Sequence, residues 1–279
     1  MRRAFEFRPF LTVDRGFTLV EMIIVIVITG ILVSMVSMFG RRQIEAYVDV
    51  GNRAELADAA DTALRRIGRD LQSALPNSVR HSGNFLEFVP IADAGRYRAD
   101  VDNAGAGDIL DFASATDGSF DVLGPTVNIA AGEQLVIFNL GQPGSDVYQG
   151  SSRRAATAGS GLSKVTFAPA GVQFPLASPQ RRFQVVSGPV TYECAANAAN
   201  PELGTVIRRA GYGFQISQSG SPWSQGGTAS VLVNNVAACS FSYTPAVLQR
   251  NGLVVLKLTL TRNSESVQLL HQVDVLNTP

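Results

Sequence analysis

The sequence has little charge and no excess of either sign. Of its 279 residues only 16% are charged, and 23 Lys and Arg balance 23 Asp and Glu; soluble domains usually carry roughly 25%. A surface that binds nucleic acid needs clustered basic residues, and the arginines here are spread along the chain. We therefore expect no nucleic-acid partner, and the length suits one or two domains.

Histidine and cysteine are also scarce, and their spacing gives no pattern typical of a metal or catalytic site. The chain has His81, His271, Cys194 and Cys239, with no CxxC or HxxxH spacing, which disfavours zinc. It contains no GxSxG nucleophile elbow, no P-loop and no GxGxxG between a strand and a helix. We predict a protein that is not an enzyme and that has no cofactor.

One long apolar run is present, and it contains a carboxylate. From residue 17 to residue 39 the only ionisable side chain is that of Glu21, and two arginines follow the run. About 20 helical residues cross the hydrocarbon core of a bilayer, so the run is long enough to span a membrane. A charge at that depth costs roughly 2.5–3.5 kcal/mol on insertion scales, which favours a functional role for Glu21. Four arginines before the run against two after it favour a cytoplasmic N-terminus.

A glycine precedes the apolar run, whereas an ordinary secretory signal has its small residues after the run. Cleavage between Gly16 and Phe17 leaves the apolar helix attached and frees the α-amino group of Phe17. Glu21 neutralises this cation either on the same helix, four residues away, or between subunits, where the pair sets the stagger of adjacent helices. The alternative is a plain signal anchor in which Glu21 has no such role.

These residues resemble the class III signal of type IV prepilins and of type II secretion pseudopilins: Gly16-Phe17-Thr18-Leu19-Val20-Glu21. The resemblance implies cleavage after Gly16 by a prepilin peptidase, N-methylation of Phe17 and a filament-assembly role for Glu21. It also implies major and minor pilins as partners, an inner-membrane location before assembly, and entry into a pilus. One departure is that no proline interrupts the helix near Met38, where many major pilins have one.

Beyond the apolar run the pattern becomes amphipathic, which predicts that the helix continues. Apolar residues recur at spacings near three and four between residues 44 and 75, and charged residues fill much of the remainder. Pro76-Asn77 supplies a stop. We predict one helix from Phe17 to about Leu75, with Gly51 and Gly68 as its weak points.

The second half of this helix resembles particular classes of pilin-like subunit. Residues 64–80 are similar to the corresponding segment of minor subunits of MSHA-type pili, and they also resemble the J-type minor pseudopilins of type II secretion. The segments 235–243 and 270–279 strengthen the similarity to the MSHA-type subunits. Four charged residues of the helix segment are expected to form a solvated face with local salt bridges, and the alternative is that they contact neighbouring subunits: Arg65, Arg66, Arg69 and Asp70.

The rest of the chain is predicted to form short strands separated by Gly, Pro, Asp and Ser, and no helix of useful length interrupts them. The sheets should therefore be largely antiparallel, with 253–261 as a central strand. The Gly/Ser-rich segments 141–162 and 217–228 are predicted to be loops. The predicted strands are 84–89, 108–112, 134–139, 164–168, 183–186, 190–193, 205–209, 212–216, 230–233, 239–244, 253–261 and 265–275.

The predicted fold class is α+β and pilin-like, with a long N-terminal helix packed on a largely antiparallel β-sheet domain. We expect a cleaved prepilin leader at 1–16, a transmembrane helix at 17–40, the amphipathic second half of the long helix at 41–76 and a periplasmic β-rich domain at 77–279. In an oxidising periplasm, Cys194 and Cys239 are expected to form a disulfide rather than two separate thiols.

Four aspartates bunch around a glycine turn and resemble half of a calcium loop: Asp100, Asp102, Asp108 and Asp111. Ala104 lies where a third side-chain ligand would fall, Asp111 replaces the expected glutamate, and no helices flank the turn. A solvated turn is therefore favoured, and calcium binding is the alternative.

The sequence thus predicts a minor pilin-like subunit for assembly or priming of an MSHA-type pilus, held in the inner membrane by one span with its N-terminus in the cytoplasm. The first alternative is a minor pseudopilin of type II secretion. The second is a membrane-anchored periplasmic binding module, which needs no cleavage at Gly16.

Overall fold

In the part of the chain that the structure describes, the fold consists of one long helix and four antiparallel sheets. The computed structural model describes residues 16–168, 173–218, 226–245 and 251–278, without the side chains of 40–42. The chain divides into two compact units, residues 1–51 and 52–279.

The helix α1 spans Leu19–Gln72 and passes Gly51 and Gly68 without a break. It ends in a tighter turn, in which the N–H of Ser73 donates to the carbonyl of Asp70 at 3.1 Å, and Pro76 follows. A proline cannot continue a helix, because it lacks the N–H and its ring clashes with the preceding turn. The prediction of one long helix is confirmed. The helix begins two residues later and ends about three residues earlier than predicted.

Within the second unit, α1 packs one face on the sheets. The buried side chains recur at spacings of three and four, which places them on one stripe of the helix. They contact the inner faces of two sheets in the largest hydrophobic cluster of the protein. The buried helix residues of this cluster are Leu56, Ala60, Ala63, Leu64, Ile67 and Leu71.

Sixteen strands follow the helix in the described residues. They are β1 (Arg80–Ser82), β2 (Phe85–Phe88), β3 (Ile91–Tyr97), β4 (Ser119–Leu123), β5 (Val127–Ile129), β6 (Gln134–Val136), β7 (Arg153–Ala155), β8 (Gly159–Leu162), β9 (Lys164–Thr166), β10 (Arg182–Val186), β11 (Val190–Ala195), β12 (Thr205–Ala210), β13 (Thr228–Asn234), β14 (Val236–Thr244), β15 (Gly252–Arg262) and β16 (Glu265–Val275).

These strands form sheets in the orders β1-β2-β11-β12-β13, β7-β6-β10-β3-β4-β9, β14-β15-β16 and β5-β8. Every strand pairing in the described residues is antiparallel. Between the strands the structure has one short 3-10 helix, Pro201–Leu203, in the part of the chain that it describes. The α+β fold with largely antiparallel sheets is therefore confirmed.

Different sheets contribute to different hydrophobic cores. The first cluster lies between α1 and the five- and three-stranded sheets. A second cluster belongs to the six-stranded sheet and is rich in aromatic rings, with Phe120 and Phe183 in edge-to-face contact at 5.2 Å between centroids. Such pairs stabilise a core by about 0.5–1.5 kcal/mol beyond the area that they bury.

Two predicted strands are wrong. Residues 108–112 form no strand, because their polar groups bond locally: the N–H of Asp111 donates to the Asp117 carboxylate at 2.7 Å, and the Asp108 carboxylate accepts from Ser119. Side-chain bonds of this kind offer the backbone an alternative to a sheet. Residues 212–216 form no strand because Arg80 binds the carbonyls of residues 215 and 216.

The two predicted loops have different outcomes. Residues 141–162 contain β7 and β8, so the prediction of a loop throughout is wrong there. β7 lies at the edge of the six-stranded sheet and pairs with β6, a contact that composition does not reveal. Most of the segment 217–228 lies outside the described residues.

A disulfide joins two of the sheets. Cys194 on β11 and Cys239 on β14 are bonded, with their Cα atoms 5.9 Å apart. The pairing expected for an oxidising compartment is therefore confirmed. It connects the five-stranded sheet to the three-stranded sheet at the edge of the largest core.

Candidate functional site

The first turn of α1 holds the residues that the sequence singles out. Phe17 and Thr18 precede the helix, and the Thr18 hydroxyl accepts the N–H of Glu21 at 3.2 Å. The Thr18 carbonyl accepts the N–H of Met22 at 3.1 Å, which begins the helical ladder. Thr18 is thus the N-cap, and Glu21 occupies the third helical position, as in the T-x-x-E capping box.

This position gives Glu21 an electrostatic role in the helix itself. A carboxylate near a helix N-terminus is stabilised by the helix dipole and the unpaired N–H groups, typically by about 0.3–1 kcal/mol. The Glu21 side chain is exposed, and within the described ranges it forms no ion pair. Sequence reasoning missed the cap, although the signal, Thr18 three residues before Glu21, was present.

The surroundings of Glu21 are an exposed apolar surface. Ile23, Leu32 and Phe39 are 53%, 56% and 65% exposed, and the large apolar side chains between them are similar. By length and composition α1 is the one helix in the described chain that is fit to cross a membrane, and none of its most apolar window is buried. An exposed apolar surface of this length marks a membrane or a partner.

Residues 12–37 match the prokaryotic N-terminal methylation motif.

The methylation motif covers the Gly16–Phe17 junction and Glu21, together with most of the apolar run. It supports a type IV pilin-like or pseudopilin-like protein, that is, a structural subunit rather than an enzyme. It also supports anchoring in a membrane, processing by a prepilin peptidase and association with other pilins. No curated protein and no solved structure shows significant similarity to the chain.

The four aspartates of the calcium candidate have separate partners. Asp100 pairs with Arg181 at 2.8 Å, Asp108 pairs with Lys164 at 2.8 Å, and Asp111 accepts the N–H of Ala113 at 2.8 Å. Among the described residues no group of three or more His, Cys, Asp or Glu side chains is arranged to hold a metal ion.

Hydrogen bonds lower the pKa of two of these aspartates, Asp102 and Asp108. Backbone N–H groups of Ala106 and Ala104 donate to the Asp102 carboxylate at 2.8 and 2.9 Å, and they lower its pKa. Burial raises the pKa of Asp108, but Lys164 and Ser119 outweigh it and leave the pKa below its ordinary value. The Asp102 carboxylate stabilises its own turn, whereas Asp108 joins this segment to Ser119 on β4 and Lys164 on β9.

A buried carboxylate lies elsewhere, on β2. Glu87 is fully buried, accepts from Arg80 at 2.7 Å and accepts from the Tyr212 hydroxyl at 3.1 Å. Burial, followed by the neighbouring carboxylate, raises the pKa of Tyr212, which therefore stays a protonated donor. Thr191 completes this group through a hydrogen bond to the Tyr212 hydroxyl. These contacts attach the segment after β12 to the five-stranded sheet.

A second polar group fastens the end of α1 to the same sheet. Asp70 accepts from the Tyr192 hydroxyl at 2.7 Å and from Arg208 at 3.0 Å. Burial, and then the bond to Asp70, raise the pKa of Tyr192. The prediction of a solvated charged face is therefore wrong for Asp70, while Arg65, Arg66 and Arg69 are exposed as expected.

The two histidines lie on different strands. His81 is on β1, where its Nε2 lies 2.9 Å from the carbonyl oxygen of Gly83. His271 is on β16, against Gly68 of the helix.

Proposed function

We propose that this chain is a minor subunit of an MSHA-type type IV pilus, acting in its assembly or priming. The observation that carries the proposal is the methylation motif at the start of an exposed apolar helix. In sequence pattern, residues 64–80 and the C-terminal tail resemble the MSHA pilus biogenesis protein MshO, and this resemblance favours a pilus over a secretion system.

In this proposal a prepilin peptidase cuts between Gly16 and Phe17 and removes the leader 1–16. The backbone nitrogen of Phe17, an uncharged amide before the cut, becomes a cationic amine, and N-methylation keeps its charge. The cut therefore creates an opposite charge next to an apolar surface that already holds Glu21.

The charge pair then forms between chains. Glu21 of one subunit accepts a hydrogen bond from the Phe17 amine of its neighbour, and the apolar helices pack around the pair. Removing one partner from such a pair leaves an uncompensated charge in a medium of low dielectric, which costs about 3–5 kcal/mol. The pair therefore fixes the axial stagger of adjacent helices, as a buried polar residue fixes register in a coiled coil.

We propose that α1 crosses the inner membrane once, with the transmembrane segment at 17–40, the amphipathic helix segment at 41–76 and the domain 77–279 in the periplasm. The disulfide supports this topology, because such bonds persist in oxidising compartments. The large domain suits a tip or initiation complex better than the repeating shaft. Polypeptide partners are major and minor pilins and the peptidase.

Deletion of the gene in its own organism tests this assignment. We expect surface pili to be lost while type II secretion continues, and we expect the wild-type chain supplied from a plasmid to restore the pili. Pilus number by electron microscopy and secreted enzyme activity are the two measurements. Lost secretion with intact pili would identify a minor pseudopilin instead. Intact pili and secretion would favour the membrane-anchored binding module.

A further inference from the structure

Within the described ranges of the chain, the last strand, β16, has one edge without a partner strand. In the described residues, β16 pairs with β15 only and has no bulge along its 11 residues. Proteins usually protect such edges with charged side chains, proline, bulges or short strands. β16 has no Lys and no Pro, and its two charged residues, Glu265 and Asp274, lie near its ends. Leu270, near the middle of the strand, is 60% exposed.

The turn before β16 determines which backbone groups face outward. Asn263 and Ser264 have φ values of 51° and 67°, as a two-residue hairpin turn requires, so Arg262 and Glu265 close the turn with a hydrogen bond. Antiparallel pairs alternate between bonded and non-bonded from that point. The N–H and C=O groups of Leu270 and its alternate neighbours therefore point to the open edge.

A trough lies beside this edge, between β16 and α1. It is a cavity of about 510 Å³ lined by Thr62, Arg65, Gly68, Arg69, Gln72 and His271. Gly68 brings the strand close to the helix, since a Cβ there would lie 3.1 Å from the Nε2 atom of His271. The four exposed helix residues recur at spacings of three and four, so they form one stripe.

The trough carries positive charge, and none of the described residues that line it is an Asp or a Glu. Arg65 pairs with Asp61 at 2.6 Å on the helix surface. Arg69 forms no ion pair with any residue that the structure describes. The neighbouring Asp70 is held on the other side by Tyr192 and Arg208.

We propose that β16 and this trough bind an extended acidic segment of a neighbouring pilin-like subunit, which adds to the three-stranded sheet as a fourth strand. Main-chain hydrogen bonds at the edge supply the affinity, and an acidic side chain over Arg69 supplies the selectivity. A second copy of β16 is the wrong partner, because a two-fold pairing would bring one basic trough against another. The identity of the partner rests on the proposed function; the strand addition does not.

Two peptides test the site on the full-length protein in detergent micelles. Both are as long as β16 and alternate Thr with a charged residue, Glu in one and Lys in the other. We expect fluorescence anisotropy to show that the Glu peptide binds and that the affinity of the Lys peptide is lower by roughly fivefold or more. At equal peptide concentration, hydrogen exchange of the outward amides of β16, including that of Leu270, should slow more with the Glu peptide than with the Lys peptide.

Matched variants distinguish the contribution of the trough's charge from that of the backbone groups at the open edge of β16. Arg69→Glu should reverse the preference between the peptides, while Arg66→Glu, on an exposed position outside the trough, should not. Leu270→Pro removes an N–H that faces the open edge and should abolish binding, while Leu270→Ala should not. Thermal unfolding of each variant reports whether the fold is kept.

Equal binding of the two peptides, or unchanged binding to a folded Leu270→Pro variant, would overturn the proposal. Concentration-dependent self-association that Leu270→Pro abolishes would also overturn it, because β16 would then pair with its own copy. These results do not depend on piliation, so the site and the proposed pilus function fail separately.

Discussion

Replacement of Glu21 by Gln is expected to lower incorporation of the subunit into pili by roughly a hundredfold or more. The neighbour's Phe17 amine then lies unpaired among apolar side chains, at a cost of about 3–5 kcal/mol, and each 1.4 kcal/mol is about tenfold in population. Immunoblots of sheared pili against the membrane fraction measure the ratio of incorporated to unincorporated subunit. The membrane fraction should hold the normal amount of processed protein.

The first turn of α1 provides the controls for this result. Gln at residue 21 keeps the capping-box side chain and removes only the charge. Thr18→Ala removes the observed cap, worth about 1 kcal/mol, and keeps the carboxylate. Glu45→Gln makes the same chemical change on the same helix outside the apolar run. A Glu21→Gln variant that assembles normally beside a defective Thr18→Ala variant would show that Glu21 only caps the helix.

Removal of the disulfide by Cys194→Ala together with Cys239→Ala is expected to lower the free energy of unfolding by about 4 kcal/mol. The two residues are 45 apart in sequence, and a closed loop of that length removes about this much chain entropy from the unfolded state. The bond also joins β11 to β14, so its loss removes the covalent link between the five-stranded and the three-stranded sheet. Urea unfolding of the full-length protein in detergent measures the change.

Reduction of the wild-type protein supplies the control for the disulfide. Dithiothreitol should move the wild-type unfolding midpoint to that of the double variant and should leave the double variant unchanged. A double variant within about 1 kcal/mol of the oxidised wild type, the usual cost of an ordinary substitution, would show that the bond contributes little.

The sequence predicted those elements whose patterns are long. The apolar run and the amphipathic repeat after it predicted one helix, and the structure has this helix at Leu19–Gln72. The nearly continuous apolar residues of 253–260 predicted a central strand, and β15 lies between β14 and β16. The three-residue strands β1, β5 and β7 have no such period. They pair because the sheets beside them provide partners, a tertiary effect that composition does not contain.

The residues of the candidate sites also differ in whether the sequence alone reveals them. Gly16, Phe17 and Glu21 form a local motif that sequence alone displays. Glu87 looks like any strand carboxylate in sequence, and its burial depends on Arg80 and on the distant Tyr212. Asp70 resembled a solvated helix residue because its partners are more than a hundred residues away.

The central claim is that cleavage after Gly16 creates the cation that Glu21 pairs with. Tandem mass spectrometry of the N-terminal peptide, from protein isolated from the membrane of its own organism, tests this most directly. We predict a chain that begins at Phe17 and carries a methyl group on its α-amino nitrogen. A mature chain that begins at Met1, or that retains any part of residues 1–16, would contradict the account.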